Sequence, residues 1–181
     1  MKLVIVSDIH GSVLAAMRAV KEMEREGADY LISLGDVMYH GPRNPLPEDY
    51  NPAEVARVLN SVADRVIAVR GNCDSEVDQM LLDFPMMADY QVLPFDGFKF
   101  FMTHGHLFAP DSLPAGLASG DIFAFGHVHI PMFEENNGIL IFNPGSAALS
   151  KDGHPETYAV MDEKKIQIKT FDGDVYMERK I

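Results

Sequence analysis

The sequence is short of cysteine, of basic residues and of long apolar runs, and each shortage excludes a class of protein. Its one cysteine, Cys73, has no partner for an internal disulfide, which predicts a reducing compartment. The 15 basic residues stand against 27 acidic ones, and a formal charge of −12 argues against a broad nucleic-acid-binding face. No apolar run is long enough to span a bilayer, and the opening "MKLVIVSD" reaches an aspartate too early for a signal peptide. We therefore expect a cytoplasmic protein without membrane contact.

The order of apolar patterns predicts one α/β domain that covers residues 1–181, with no repeat, linker or low-complexity tract. The runs "KLVIV", "YLISL" and "VIAV" are typical of buried strands, and helical patterns follow them. The first helix is expected over 12–26, with Val13, Met17, Val20 and Met23 on its buried face and Gly27 after its end. The first half thus alternates between strand and helix.

A second helix is expected from Asn51, which precedes Pro52 and stands three residues before Glu54, and a short third helix is expected at 75–82. From Tyr90 onward the pattern changes to short strands separated by Gly, Asp, Asn and Pro turns. Two packed sheets with helices outside them are the predicted result. The methionine-rich stretch "DQMLLDFPMMADY" is interpreted as core, or as a homo-oligomer interface if it is exposed.

Polar side chains follow five of the predicted strands at the point where each strand ends. In open α/β sheets a site lies beyond the carboxyl ends of the strands, so these side chains are expected to converge. All of them are residue types that bind divalent metals through oxygen or imidazole nitrogen. The candidate metal ligands are Asp8, His10, Asp36, Asn72, His104, His127 and His129.

The spacing of the candidates makes physical sense. In extended chain, residues two apart point to one side, as do Asp8 with His10 and His127 with His129. Glycines precede Asp36, Asn72 and His127, and a missing side chain there permits sharp turns and a close approach of backbone to an ion. Two divalent cations, two carboxylates and one hydroxide leave a net charge of about +1, which attracts a phosphate.

The series D-x-H, G-D, G-N, H and G-H-x-H, in this order, resembles the calcineurin-like metallophosphoesterase superfamily. The stretches "HGPRNPLPE", "RGNCDSEVDQML" and "FNPGS" are similar to its small bacterial and archaeal YfcE-type phosphodiesterases. The resemblance implies an α/β fold, a four-layer α/β/β/α sandwich of two mixed sheets flanked by helices. It also implies a metal-dependent phosphodiesterase in which a hydroxide held by two ions attacks a small phosphodiester.

The resemblance also implies how the ligands divide between two divalent ions. Asp8, His10 and His129 would hold one ion, and Asn72, His104 and His127 would hold the other. Asp36 would bridge the two ions. Manganese is the first choice of metal, and the ligand set also suits iron, zinc, cobalt or nickel.

The sequence departs from the superfamily at two linked positions. Many members have G-N-H-D/E, whose histidine is a candidate acid for the leaving group, and Cys73 stands in that place. Many also have G-D-x-x-D-R-G, where Tyr39 and His40 replace the aspartate and arginine. A thiol with an ordinary pKa near 8.5 is a weaker acid at neutral pH than histidine near 6.5. Cys73 therefore predicts a preference for diesters, with His40 as a second candidate acid and Arg43 as a candidate phosphate ligand.

Two other functions are weighed beside the phosphodiesterase. A phosphomonoesterase or nucleotidase would use the same two ions. The ratio of diester to monoester hydrolysis distinguishes it from a phosphodiesterase. A non-catalytic protein-binding scaffold is known within the superfamily, in the retromer complex. Degraded ligand motifs would favour the scaffold, and none of the seven ligand positions is degraded here.

Overall fold

The computed structural model describes residues 1–181, which form three α-helices and eleven β-strands. The helices are α1 (Val13–Glu26), α2 (Pro52–Asn60) and α3 (Glu76–Gln79), and a 3-10 turn covers Ala63–Arg65. The first six strands are β1 (Leu3–Val6), β2 (Tyr30–Ser33), β3 (Val66–Ala68), β4 (Tyr90–Phe95), β5 (Phe98–Thr103) and β6 (Ile122–Ala124). The others are β7 (Pro131–Asn136), β8 (Ile139–Pro144), β9 (Thr157–Met161), β10 (Lys165–Thr170) and β11 (Val175–Lys180).

The strands form two mixed sheets, which confirms the predicted α/β class. The first sheet has the order β11-β10-β9-β1-β2-β3, in which β1, β2 and β3 run parallel. The second has the order β4-β5-β6-β8-β7, in which β5, β6 and β8 run parallel. Each sheet therefore brings the carboxyl ends of three parallel strands to one edge.

Three apolar layers hold the two sheets in place, one between the sheets and one on the outer face of each. Ile5 and Ile32 of the first sheet pack between the sheets against residues such as Phe100 and Phe142 of the second. The opposite face of the first sheet packs on α1 and α2, with Tyr158 among its buried side chains. Burial on both faces explains why these strands are nearly continuous apolar runs.

The outer face of the second sheet differs in one detail from the predicted helical layer. It is covered by the segment 105–121, which contains no helix and which packs Phe108, Leu113 and Leu117 onto Phe101 and Phe123. Prolines and glycines are frequent in this segment, and they prevent a continuous helical ladder while its apolar side chains still cover the sheet.

The end of α1 at Gly27 and the start of α2 at Asn51 are confirmed, but the predicted face of α1 is partly wrong. Gly27 is left-handed at φ 61°, and the Asn51 side chain accepts a hydrogen bond from Glu54 N. Met17 is 55% exposed, and the sheet instead meets the smaller Ala16 and Ala19. Small side chains permit close packing of α1, whereas the periodicity alone selects the largest apolar residues.

Six strands of the second half, β4, β5, β6, β8, β9 and β10, coincide with the short apolar runs expected after Tyr90. The other two strands, β7 and β11, were not signalled by the sequence. Both are edge strands with polar and charged residues, so they lack the apolar run of a buried strand. The third helix is shorter than predicted. In the methionine-rich stretch, Leu82, Phe84 and Met86 are buried, whereas Met80 is 83% exposed and Leu81 is exposed too.

No helix of the structure has the length and apolar character needed to cross a membrane.

Glu26, at the end of α1, ties the helix to its sheet through Lys2, which precedes β1, and Lys169 of β10, and its removal is expected to cost stability. Its carboxylate accepts hydrogen bonds from Lys169 Nζ at 2.6 Å and Lys2 Nζ at 2.9 Å. Burial raises the pKa of Glu26, but these two lysines outweigh burial and lower it below its ordinary 4.5. We expect Glu26→Gln to lower the free energy of unfolding by about 1 kcal/mol at pH 7, in urea denaturation.

The pH dependence of this effect has a defined sign. Because the folded-state pKa of Glu26 is depressed, its contribution is present above the unfolded value of 4.5 and is lost as pH falls through the folded value. The difference between the Glu26→Gln variant and the parent should therefore shrink below pH 4.5. Glu135→Gln is the control, since that carboxylate is 58% exposed and its pair with Arg179 is weak. An equal effect of both variants would contradict the prediction.

Candidate metal centre

All seven candidate ligands lie where parallel strands of the two sheets end. Asp8 and His10 follow β1, Asp36 follows β2 and Asn72 follows β3, all in the first sheet. The remaining three histidines follow β5 and β6 in the second sheet, at positions 104, 127 and 129. Packing the sheets face to face therefore joins two sets of strand ends into one polar site.

Five of the seven candidates have a left-handed backbone, a conformation that L-residues adopt rarely. The φ angles are 57° at Asp8, 50° at His10, 55° at Asp36, 69° at His127 and 64° at His129. Such residues cost of the order of 1–3 kcal/mol each, and they cluster at functional sites. The turns after these strands thus aim side chains inward at a cost in stability.

Glycines let the loops that carry the ligands approach one another. A Cβ on Gly71 would collide with the carboxylate of Asp36, and a Cβ on Gly126 would collide with Ser7 Oγ. Gly35 has a φ of 96° and abuts the backbone of Gly71. Only glycine fits these contacts between the loops that carry the ligands.

The first donor group consists of Asp8, His10 and His129, whose ligand atoms lie within 4.8 Å of one another. Nε2 of His129 is 3.1 Å from Asp8 Oδ1, and Nε2 of His10 is 3.6 Å from the same oxygen. The two Nε2 atoms are 3.1 Å apart. The other oxygen of Asp8 accepts hydrogen bonds from Ser7 Oγ at 2.6 Å and His127 N at 3.0 Å. Asp8 Oδ1 is therefore left to face the two imidazoles.

The second donor group consists of Asp36, His104 and His127, with Asn72 beside it. Nε2 of His104 is 3.3 Å from Asp36 Oδ2 and 3.1 Å from Asn72 Oδ1. Nδ1 of His127 is 3.3 Å from the same nitrogen of His104. Asp36 Oδ2 also lies 3.7 Å from Nε2 of His10, so this one oxygen faces both donor groups.

Backbone carbonyls orient three of the imidazoles. Nδ1 of His10 donates to Tyr39 O at 2.8 Å, and Nδ1 of His129 donates to Leu149 O at 2.6 Å. Nδ1 of His104 donates to a carbonyl of its neighbouring strand at 2.8 Å. In a neutral imidazole this leaves Nε2 as a lone-pair donor aimed into the site, an arrangement typical of metal-bound histidine.

The donor set fits a divalent cation. With both Nδ1 protons given to carbonyls, the lone pairs of His10 and His129 converge on Asp8 Oδ1, a buried oxygen that accepts no hydrogen bond. Three converging electron donors repel one another unless positive charge lies among them. Carboxylate, amide oxygen and imidazole are ligands that suit divalent transition metals.

The pKa values show the same demand for positive charge. Burial raises the pKa of Asp8, but the adjacent imidazoles of His10 and His129 outweigh it and hold this pKa well below 3.8. Burial lowers the pKa of His104, but the carboxylate of Asp36 outweighs it and raises the pKa to about 9. The carboxylates are thus ionised, and they favour cationic neighbours.

Asp74 connects the loops that carry the ligands, and the sequence analysis did not single it out. Its Oδ2 accepts hydrogen bonds from Asp36 N at 2.8 Å and Gly71 N at 2.7 Å, and its Oδ1 accepts one from Val37 N at 2.8 Å. Burial raises the pKa of Asp74. Its position directly after Asn72 and Cys73 was the only available signal.

A cleft of about 440 Å³ opens over the donor groups. Its walls include Arg43, Cys73 and Lys151, of which the sequence analysis named the first two. Burial raises the pKa of the Cys73 thiol to about 12, with the charge of Asp36 adding to the effect. The third predicted residue, His40, does not line the cleft.

The ring of His40 instead packs between two tyrosines. Its centroid lies 4.8 Å from that of Tyr39 and 5.4 Å from that of Tyr50, both in edge-to-face arrangements. The carbonyl of His40 accepts a hydrogen bond from Asn44 Nδ2 at 2.8 Å. The loop therefore brings Arg43 into the wall of the cleft, whereas it packs His40 between the two tyrosines.

Comparison with known proteins agrees with this geometry. The family model described as the calcineurin-like phosphoesterase superfamily domain matches residues 1–165. The chain belongs to this superfamily. It therefore carries a divalent metal-binding centre and is a phosphoester hydrolase.

Two relatives and one solved structure place the chain within the superfamily. Phosphodiesterase YfcE of Escherichia coli K12 is 51% identical over 168 residues, covering 93% of this chain and 91% of the relative. Phosphodiesterase MJ0936 of Methanocaldococcus jannaschii is 28% identical over 173 residues, covering 91% and 95%. A solved structure of Yfce, a phosphoesterase from E. coli, superposes with a TM-score of 0.96 at 47% identity and full coverage of both chains. These similarities confirm the predicted membership and fold.

Proposed function

We propose that this chain is a metal-dependent phosphodiesterase that hydrolyses small phosphodiesters. The observation that carries the proposal is Asp36 Oδ2, which faces His10 of one donor group and His104 of the other at the floor of the cleft. An oxygen in that position suits a bridge between two ions. The names of the E. coli and M. jannaschii relatives, both phosphodiesterases, support the diester as substrate.

The proposed centre holds two divalent ions. Asp8, His10 and His129 are assigned to one ion, with Asp36 as the bridge. Asn72, His104 and His127 are assigned to the other ion. Manganese is the proposed metal, and iron, zinc, cobalt and nickel are alternatives with the same ligand preferences.

Bound divalent ions supply Lewis acidity and bring the pKa of bound water toward neutrality. The chain's own residues then bind and orient the ester. Arg43, in the cleft wall, is positioned to bind a phosphate of the substrate through its planar guanidinium. Asn72 offers an amide oxygen that adds no negative charge beside the phosphate.

Cys73 is proposed as the residue that makes diesters the preferred substrates. It occupies the cleft wall where many members have a histidine, and a thiol protonates a poor leaving group less readily than an imidazolium does. His40 remains a weaker candidate for the same role, because its ring lies between Tyr39 and Tyr50. Diesters with good leaving groups need little protonation, so they suit this site.

The test compares two chromogenic substrates after metal removal and restoration. Protein stripped by a chelator and reloaded with manganese should hydrolyse bis-p-nitrophenyl phosphate with a kcat/KM at least about tenfold above that for p-nitrophenyl phosphate. The stripped protein should be inactive on both. Cys73→His should raise the activity on monoesters and on poor leaving groups, and Cys73→Ala separates the added imidazole from the lost thiol.

Each result has a distinct meaning. Faster hydrolysis of the monoester would favour the phosphomonoesterase or nucleotidase and overturn the role given to Cys73. No gain on monoesters from Cys73→His would overturn that role alone. No turnover with any of the five metals would contradict the phosphodiesterase and favour a protein-binding scaffold.

We also propose a cytoplasmic location, which the lone cysteine supports. Self-association is a separate prediction, for which exposed Met80 and Leu81 offer an apolar surface. Light scattering on the purified chain measures it directly.

A further inference from the structure

Two basic side chains in the wall of the metal cleft have no acidic partner, although the chain is strongly acidic. Ten of the fifteen lysines and arginines form ion pairs with carboxylates. The five without such a pair are Lys21, Arg43, Lys151, Lys164 and Lys180. Two of these five, Arg43 and Lys151, line the same cleft over the donor groups. Unpaired positive charge is therefore concentrated where the substrate binds.

The backbone holds Lys151 in a fixed place relative to the metal ligands. Its own N–H donates to His129 O at 3.3 Å, and Leu149 O accepts the Nδ1 hydrogen bond of the same histidine at 2.6 Å. Ser146 Oγ, earlier in the segment, donates to Asp8 O at 2.9 Å. The exposed side chain of Lys151 thus extends from an anchored turn.

Arg43 reaches the cleft from a different segment of the chain. It lies in the loop after β2, in which Gly41 fits against Cys73 Sγ and the side chain of Asn44 closes onto His40 O at 2.8 Å. Arg43 and Lys151 therefore belong to two separately anchored segments that meet at one cleft. A ligand that compensates the charges of both side chains has to carry negative charge outside the metal centre.

The charges of the proposed centre show how much positive charge a simple phosphodiester leaves uncompensated in the cleft. Two divalent ions with Asp8, Asp36 and one hydroxide carry about +1, which a monoanionic phosphodiester neutralises. Arg43 and Lys151 then remain as two uncompensated cations. A terminal phosphate monoester carries about −1.5 to −2 near pH 7 and would neutralise both.

We propose that the substrate is a phosphodiester that carries a second, terminal phosphate group, which Arg43 and Lys151 bind together. This inference rests on the proposed phosphodiesterase activity and adds the class of substrate. Lys151 then acts as a specificity residue, because its positive charge favours esters with the additional phosphate over those without it.

The test uses two substrates that differ by one phosphate. They are thymidine 5′-(p-nitrophenyl phosphate) and the same compound with a 3′-phosphate, both followed by nitrophenolate release from the manganese-loaded protein. The 3′-phosphate should raise kcat/KM by about tenfold at low salt, and the gain should fall as ionic strength rises. Lys151→Met should bring the ratio of the two substrates to within about twofold of one.

The matched control is Lys21→Met, which removes an equally unpaired and exposed lysine from α1, outside the cleft. It should keep the parent's ratio. Binding gives a second readout without turnover. By calorimetry, thymidine 3′,5′-bisphosphate should bind about tenfold more tightly than thymidine 5′-phosphate, and Lys151→Met should remove that difference.

The outcomes separate this inference from the function on which it rests. A ratio near one in the parent protein, or a high ratio that survives Lys151→Met, would overturn the role of the second phosphate. If bis-p-nitrophenyl phosphate and both thymidine esters are inert, the proposed function fails, and the calorimetric ratio still decides whether the cleft selects a second phosphate.

Discussion

Replacing Asp36 by asparagine is expected to lower kcat/KM for bis-p-nitrophenyl phosphate by about 10³-fold or more. Asp36 Oδ2 lies 3.3 Å from Nε2 of His104 and 3.7 Å from Nε2 of His10, so one oxygen serves both donor groups. Its other oxygen accepts a hydrogen bond from Cys73 N at 2.8 Å. An amide presents N–H₂ at one of these two positions, and it removes the negative charge from the proposed bridge.

Asparagine has nearly the shape of aspartate, so the variant should fold. The readouts are turnover and the metal content per chain, measured by elemental analysis after dialysis, and both should fall. Asp96→Asn is the matched control, since this exposed carboxylate lies in the turn between β4 and β5, away from the donor groups. Full metal content with activity within about tenfold of the parent would contradict the bridging role of Asp36.

The second large effect is expected from Asp74→Asn. Its carboxylate accepts three backbone N–H groups, from Asp36, Val37 and Gly71, and thereby joins the loops after β2 and β3. An amide in this place sets its N–H₂ against at least one buried N–H, which leaves a donor without an acceptor. We expect a loss of about 3 kcal/mol in the free energy of unfolding and a loss of about 100-fold in kcat/KM.

The control for Asp74 is Asp78, a carboxylate that also accepts a backbone hydrogen bond but does not connect the loops that carry the metal ligands. Asp78 accepts bonds from Ser75 N at 2.8 Å and Ser75 Oγ at 2.9 Å at the start of α3. Asp78→Asn should lower stability by about 1 kcal/mol and leave the activity near that of the parent. Both activities are measured at a temperature where circular dichroism shows each variant fully folded. A folded Asp74→Asn protein with unchanged activity and metal content would show that Asp74 only stabilises the fold.

Much of the fold could be predicted because its signals are local. The buried strands β1, β2 and β3 are β-branched apolar runs, and Gly27 and Asn51 mark helix ends by their own backbone and side-chain chemistry. Edge strands β7 and β11 gave no such signal, since one face of an edge strand needs little apolar surface. The exposure of Met17 has a different cause, because periodicity does not show which side of a wide apolar stripe meets the sheet.

The candidate ligands could also be predicted from the sequence, because each directly follows a strand. A strand ends where its apolar run ends, and the polar residue after it must lie at the edge of the sheet. Asp8 and His10 share one donor group, whereas His127 and His129 belong to different ones. The extended backbone expected from the i, i+2 spacing is wrong, since all four residues are left-handed. Their assignment to individual ions, and the number of ions, are still predictions.

The sequence alone determined the α/β class, the strand ends and the seven polar residues that follow them, because these depend on periodicity and turn chemistry within short stretches. Only the tertiary structure decided which distant loops meet across the cleft. It packed His40 between two tyrosines, brought Lys151 beside His129, and buried Asp74 under the backbone of Asp36. The physical reason is that contacts between distant segments are selected by the packing of two whole sheets, which no short stretch of sequence encodes.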